Sequence, residues 1–259
     1  GCDMQWEQKD NWPTVRMSKP IWKSSSDVRI PSNFLEHRDT KAITDSISIL
    51  KQEYGDEVAI VGKTMGPWTL AYHVFGVEPF LLGTVDDPDE TMKALHALKE
   101  ATILYGQAQI DAGADVLTLP DHATGDLVSG EYYKRFLLEM HQELEEELSV
   151  PIMLHICGST VDRMPYIAET GMAAFHFDSK NDPYEAMAAV NGKIRLVGNI
   201  NNPTTLYARG PAEVRAEVNA ALDAGVQLIA PECAIPLKTK LENLLEIPLA
   251  IEDWVAERG

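Results

Sequence analysis

The sequence predicts an α/β fold built on parallel strands. Three observations carry that reading. Six short apolar runs recur along the chain, nearly continuous in hydrophobicity, as strands covered on both faces require. Segments with helix signals lie between them. The helix-to-strand step also repeats: "DAGAD" (111–115), "ETGMAA" (169–174) and "DAGVQ" (223–227) each place a glycine where a helix ends and a strand begins. Alternating β and α with parallel strands means a doubly wound sheet or a (βα)8 barrel. A chain of 259 residues suits one barrel. No GxGxxG or Walker sequence is present, which weakens the nucleotide-binding version.

The N-terminal part, 1–56, carries little readable pattern. "WPTVRMSKPIW" (12–22) could hold a short hairpin, and "SSSDVRIPSN" (24–33) reads as a loop. The strand runs are "EVAIVGK" (57–63), "ADVLTLP" (114–120), "PIMLHIC" (151–157), "MAAFHF" (172–177), "IRLVGN" (194–199) and "VQLIAPE" (226–232). Six are fewer than the eight of a closed barrel. Asp87, Pro88 and Glu90 supply an N-cap, a first-turn proline and an acid at N3 for one helix. Ser129 can cap another, whose stripe Tyr133, Phe136, Leu137, Met140, Leu144, Leu148 has 3.6-residue spacing. Glu143 and Glu145–Glu147 read as its solvated face. No linker interrupts the chain, so 1–259 reads as one domain.

Charge narrows the function. Twenty-two basic against 40 acidic residues leave a net charge of −18. Nucleic acid and anionic membranes need the opposite sign. No apolar run reaches the length of a membrane span, and "GCDMQWEQKD" has neither the basic nor the apolar region of a secretory signal. Three cysteines, Cys2, Cys157 and Cys233, do not make a disulfide framework. A reducing cytoplasm fits them.

The chemistry gathers at the strand ends. His155 and Cys157 are two apart on one strand, so both point to the same side, just before Gly158. Cys233 follows the end of another strand. The C-terminal edge of a parallel sheet is where α/β proteins build sites. A His/Cys/Cys set matches an open zinc site, with three protein ligands and a fourth position for substrate. The competing reading is packing, in which a strand cysteine is a small hydrophobe. Other strand ends carry Asp121, His122 and Asp126, then Asp178, then Asn199. Each can cap a helix or satisfy a loop. Asp126 reads as structural, and Asp178 as a carboxylate that could take the open metal position. Asp121, His122 and Asn199 are the candidates for substrate contact. Cys2 reads as incidental, and His73 and His176 as packing residues. An anionic substrate would need a cation near the site. Lys63 and Arg195 lie on or beside strands, and neither is placed well enough to choose.

An ordered set of segments carries a resemblance. "GPWTLAYHVFGVEPFLL" (66–82), "SGEYYKRF" (129–136) after "DHATGD", "LHICG" (154–158), "RLVGNINNP" (195–203) and "APECAIPLKTKLENL" (230–244) resemble the uroporphyrinogen decarboxylase superfamily. Within it they resemble the zinc-dependent corrinoid methyltransferases of the methylcobamide:coenzyme M type. The resemblance implies a (βα)8 TIM barrel with Zn2+ at its C-terminal mouth. His155, Cys157 and Cys233 would be the ligands, and Asp178 the acidic residue near the metal. It implies methyl transfer between a corrinoid (methylcobamide), carried by a partner protein, and a small molecule such as a thiol. That chemistry belongs to one-carbon metabolism such as methanogenesis. Aryl methyl ethers or methylamines as methyl donors are the alternative, as is an inactive barrel that only binds a corrinoid protein. A decarboxylase is the weaker implication, because decarboxylases of the superfamily use an arginine-rich N-terminal segment that this chain does not show. Family members carry more chain at the N-terminus, with at least one barrel strand, so the expected barrel is incomplete there.

Overall fold

Each of the six apolar runs forms a strand. The computed structural model describes residues 2–5, 13–16 and 19–258. Two short strands, β1 (Met4–Gln5) and β2 (Thr14–Val15), pair antiparallel. The hairpin expected within 12–22 is therefore replaced, over its described residues, by pairing of Thr14–Val15 back to Met4–Gln5. The segment expected to be a loop contains a single 3-10 turn, Ser25–Asp27. Then follow α1 (Arg38–Tyr54), β3 (Val61–Lys63), α2 (Pro67–Phe75), α3 (Val77–Asp86), α4 (Pro88–Asp111) and β4 (Val116–Pro120). After these come α5 (Gly130–Phe136), α6 (Leu138–Glu147), β5 (Ile152–Ile156), α7 (Met164–Ile167), β6 (Ala174–Phe177) and α8 (Pro183–Val190). The chain continues through β7 (Arg195–Ile200), a π-helical turn (Asn202–Tyr207), α9 (Pro211–Ala224), β8 (Leu228–Pro231) and α10 (Leu241–Arg258). The α/β class with parallel strands in sequence order holds. Among the described residues the parallel strands number six.

The chain divides into two compact units, residues 1–122 with 139–153, and 123–138 with 154–259. The first holds β3, β4 and the start of β5. The register of β3 on β4 pairs Val61 with Val116 and Lys63 with Thr118. Buried Gln109 of α4 satisfies β3 from the side, accepting from Lys63 N–H at 2.8 Å and donating to the Lys63 carbonyl at 3.0 Å. The "GPWTLAYHVFGVEPF" motif is the aromatic core of this unit. Trp68, Tyr72 and Phe80 meet edge to face, with ring centroids 4.8 Å apart for Trp68–Phe80. The Asp87 cap of α4 forms as expected, accepting from Glu90 N–H at 3.0 Å.

The second unit holds the end of β5 and β6 to β8. Val197 of β7 sits between His176 of β6 and Leu228 of β8. Ile200, Leu206, Val214, Val218, Ile247 and Ala250 form the buried cluster beneath α9 and α10. Gly113, Gly171 and Gly225, the glycines of the three repeated junctions, all take positive φ, as a left-handed helix end demands. The helix expected from Ser129 is a correction. It breaks at Leu137 into α5 and α6, and the Ser129 side chain makes no cap bond. Asp162 takes the capping role, accepting from Gly130 N–H at 2.7 Å. The stripe itself is buried at all six positions.

Candidate metal centre

Strand β5 ends at Ile156, and the chain turns at once. Gly158 has φ +82°, and a Cβ there would stand 2.3 Å from Thr124 Oγ1 and 2.7 Å from Asp126 Oδ2. Only glycine permits that turn and that approach. It leaves Cys157 at the lip of the strand, with His155 buried behind it. The Cys233 side chain arrives from the segment just after β8.

The three side chains meet. His155 Nε2 lies 3.1 Å from Cys157 Sγ, and Cys157 Sγ lies 3.2 Å from Cys233 Sγ. His155 Nδ1 lies 3.1 Å from the His176 carbonyl. A carbonyl only accepts, so Nδ1 carries the proton and Nε2 presents its lone pair toward the sulfurs. The His176 ring packs on the His155 ring at 4.5 Å, and its own Nε2 bonds the Pro231 carbonyl at 2.8 Å. Burial, then the neighbouring His155, pushes His176 down to about 4. It stays neutral beside the centre.

The two thiols are opposite in character. Cys233 is held down to about 3 by the hydrogen bond from Cys157 and then by His155. Cys157 is pushed far up by the same bond and by burial. The bond from Cys157 to Cys233 thus favours the thiolate on Cys233 and the proton on Cys157. Soft donors of this type suit zinc. Around a tetrahedral zinc, sulfurs would stand about 3.8 Å apart. The donors need open by only about half an ångström, so the residues fit the ion.

Carboxylates and amides hold the loops around these ligands. Asp178 Oδ2 accepts from Gly158 N–H at 2.8 Å, and its Oδ1 from Lys180 N–H at 2.9 Å. Buried Glu232, directly before Cys233, accepts from Ser179 N–H at 3.0 Å and Asn202 N–H at 2.8 Å. Burial raises its carboxyl against those bonds. Asn181 accepts from Thr160 N–H and donates to the Gly158 and Asp178 carbonyls. Asn199 Nδ2 donates to the Asn181 carbonyl at 3.0 Å. Asn199, Asn181, Ser179, Asn201 and Glu217 line a polar cavity of about 420 Å3.

Thus His155, Cys157, Cys233 and Asp178 gather in the second unit, with Asn199 nearby. Asp121 and His122 belong to the first unit. There Asp121 is fully buried, its Oδ1 on Thr69 N–H at 2.8 Å and its Oδ2 on His141 Nε2 at 2.9 Å. His122 N–H donates to Thr69 Oγ1 at 2.8 Å. Asp126 pairs with Lys180 at 2.8 Å. Cys2 Sγ sits 3.7 Å from the His73 carbonyl. Sequence reading passed over Glu232 and Asn181. Glu232 had a signal, since it adjoins Cys233 in "APEC". Asn181 had none, because its partners are backbone groups of other loops.

Residues 1–254 match the family model described as uroporphyrinogen decarboxylase (URO-D). The chain belongs to the URO-D family. Within this URO-D chain's reach are several curated methyltransferases. The methylcobamide:CoM methyltransferase MtaA of Methanosarcina barkeri is 31% identical over 258 residues, 99% of this chain and 76% of that protein. A methylated-thiol–coenzyme M methyltransferase of Methanosarcina mazei is 28% identical over 245 residues, covering 94% of this chain and 66% of that protein. A solved methyltransferase from Methanosarcina mazei superposes with a TM-score of 0.92 at 28% identity, over 98% of this chain and 76% of that one. These relatives support an enzyme that transfers a methyl group, and the last supports the TIM-barrel-like URO-D fold. No helix among the described residues is long and apolar enough to cross a membrane.

Proposed function

We propose that this URO-D family chain, one barrel domain by this reading and working in the cytoplasm, moves a methyl group from a methylcobamide to a small thiol of the coenzyme M kind. The methylcobamide would be presented by a corrinoid protein. One observation carries the proposal: His155, Cys157 and Cys233 converge at the C-terminal ends of two parallel strands. Methyltransferase relatives at about 30% identity support it.

His155 Nε2, Cys157 Sγ and Cys233 Sγ would hold Zn2+, which when bound supplies a Lewis acid that keeps an acceptor thiol deprotonated at neutral pH. With both cysteines as thiolates, they and the neutral His155 imidazole would offset the ion's charge and leave the acceptor sulfur electron-rich. His176 fixes the His155 tautomer through its carbonyl, and its neutral ring adds no competing charge. Asp178 and Glu232 hold the ligand-bearing loops through backbone N–H groups. Asp178 is proposed as the acidic residue beside the metal. Asn199 is proposed as a contact for the small molecule, and in the first unit Asp121 holds the start of α2 while Thr69 holds the His122 backbone. In the transfer itself the acceptor sulfur attacks the methyl carbon of the co-substrate. The new S–C bond forms as the Co–C bond breaks, and both electrons of that bond stay on cobalt. The thiol proton goes to solvent.

Metal analysis followed by methylcobalamin assays with a set of thiols tests this. The expected result is one zinc per chain and thiol-dependent loss of the methyl–cobalt absorbance. Protein without zinc, whose Cys233→Ala form has the same metal content and activity as the parent, would overturn the proposal.

A further inference from the structure

A charge pair stands over the ligand-bearing loops. Lys180 Nζ donates to Asp126 Oδ2 at 2.8 Å. The Lys180 backbone N–H is on Asp178 Oδ1, and Asp178 Oδ2 is on the N–H of Gly158, the residue after Cys157. Asp126 Oδ2 is near the same Gly158, 2.7 Å from where a Cβ on that residue would stand. The pair therefore joins the loops after β4 and β6 across the residue that follows a metal ligand. Both side chains are about half exposed, at 56% and 46%. A pair exposed to that degree adds little to stability and exchanges partners readily.

Its surroundings give the lysine a purpose. Asp126, Asp178 and Glu232 lie on the loops about the centre, and the chain carries −18 overall. Such a field repels anions at long range. Asp178 accepts from the Lys180 N–H and from the Gly158 N–H, which places Lys180 beside the segment that carries Cys157. The sequence named Lys63 and Arg195 as cations without choosing either, and Arg195 opens β7, at the opposite end of that strand from Asn199.

We propose that Lys180 recognises the anionic group of a negatively charged thiol, leaving Asp126 to bind that group instead. This rests on the methyl-transfer reading to a coenzyme M-like thiol and assigns the residue that would hold the acceptor's sulfonate or carboxylate. Asp126 is then a competitor that holds Lys180 in place until the acceptor arrives.

The test uses the zinc-loaded full chain with methylcobalamin and three acceptors: 2-mercaptoethanesulfonate, 3-mercaptopropionate and neutral 2-mercaptoethanol. The readout is the ratio of kcat/KM for each anionic thiol to that for the neutral one. Loss of one charged hydrogen bond predicts that Lys180→Gln lowers the ratio about tenfold, mostly through KM. Lys180→Arg restores it, and Asp126→Asn raises it. The anionic thiol with the larger loss identifies the preferred group. Calorimetric binding of 2-mercaptoethanesulfonate without corrinoid reads the same preference independently of turnover. An unchanged ratio and unchanged binding in Lys180→Gln overturn the proposal. Absence of methyl transfer to any thiol overturns the underlying reading instead, and the binding measurement still decides the role of Lys180.

Discussion

Two histidines sit beside ligand-type groups in this protein, and they differ in what completes them. In the first unit His141 meets Asp121, both with no exposed surface, and the second Asp121 oxygen is bonded to Thr69 N–H. Hard donor and hard acceptor satisfy each other, and the pair serves packing. In the second unit His155 meets two sulfurs, which are weak hydrogen-bond partners and strong metal ligands. Both cysteines are only half-buried. A buried histidine is thus structural where a carboxylate completes it, and a candidate for chemistry where soft donors converge at an accessible lip.

Four substitutions break or sharpen that contrast. Asp121→Ala leaves His141 and Thr69 N–H inside without their acceptor, and should cost about 3 kcal/mol of folding stability in urea titration. Zinc content of the protein that remains folded should be unchanged. A large loss of zinc with no loss of stability would erase the distinction between the two histidines. Cys233→Ala should do the reverse. Methyl transfer and zinc affinity should fall more than about 100-fold, beyond the loss typical of residues that only support a ligand, while the urea midpoint moves little. Glu232→Gln turns one acceptor oxygen into an amide facing a backbone N–H. Zinc affinity, measured by competition with a chelator, should fall about tenfold, because Cys233 loses its anchor without being touched.

The smallest effect lies at Asp115, far from either histidine in role. Ile60 N–H and then Lys51 hold its carboxyl below the ordinary 3.8. A depressed folded value stabilises above the unfolded pKa, and that support disappears as pH falls through the folded value. Asp115→Asn should therefore lower stability slightly at neutral pH. The difference from the parent should vanish in strong acid, measured by thermal melts across pH.

Much of the framework was legible along the chain. All six strand runs formed, because continuous Val, Ile and Leu can be buried on both faces in only a few ways. The glycines of the junctions and the Asp87 cap formed because their signals are local. The N-terminal third was harder. Helix α1 has Ile43, Ile47 and Leu50 at helical spacing, but only Ile47 of these is buried, so the stripe is thin. The break between α5 and α6 falls at a leucine, where neither glycine nor proline announces it.

The candidate site divides the same way. Residue type and period-2 spacing already put His155 and Cys157 on one side of one strand, and strand ends already marked Cys233, Asp178 and Asn199 as edge residues. That the sulfurs stand 3.2 Å apart, that the His176 carbonyl selects the His155 tautomer, and that Glu232 and Asn181 tie the loops together all depend on contacts between distant segments. Spacing along a chain encodes direction and exposure. Distances between strand ends arise from how neighbouring strands align in the sheet, which no single segment carries.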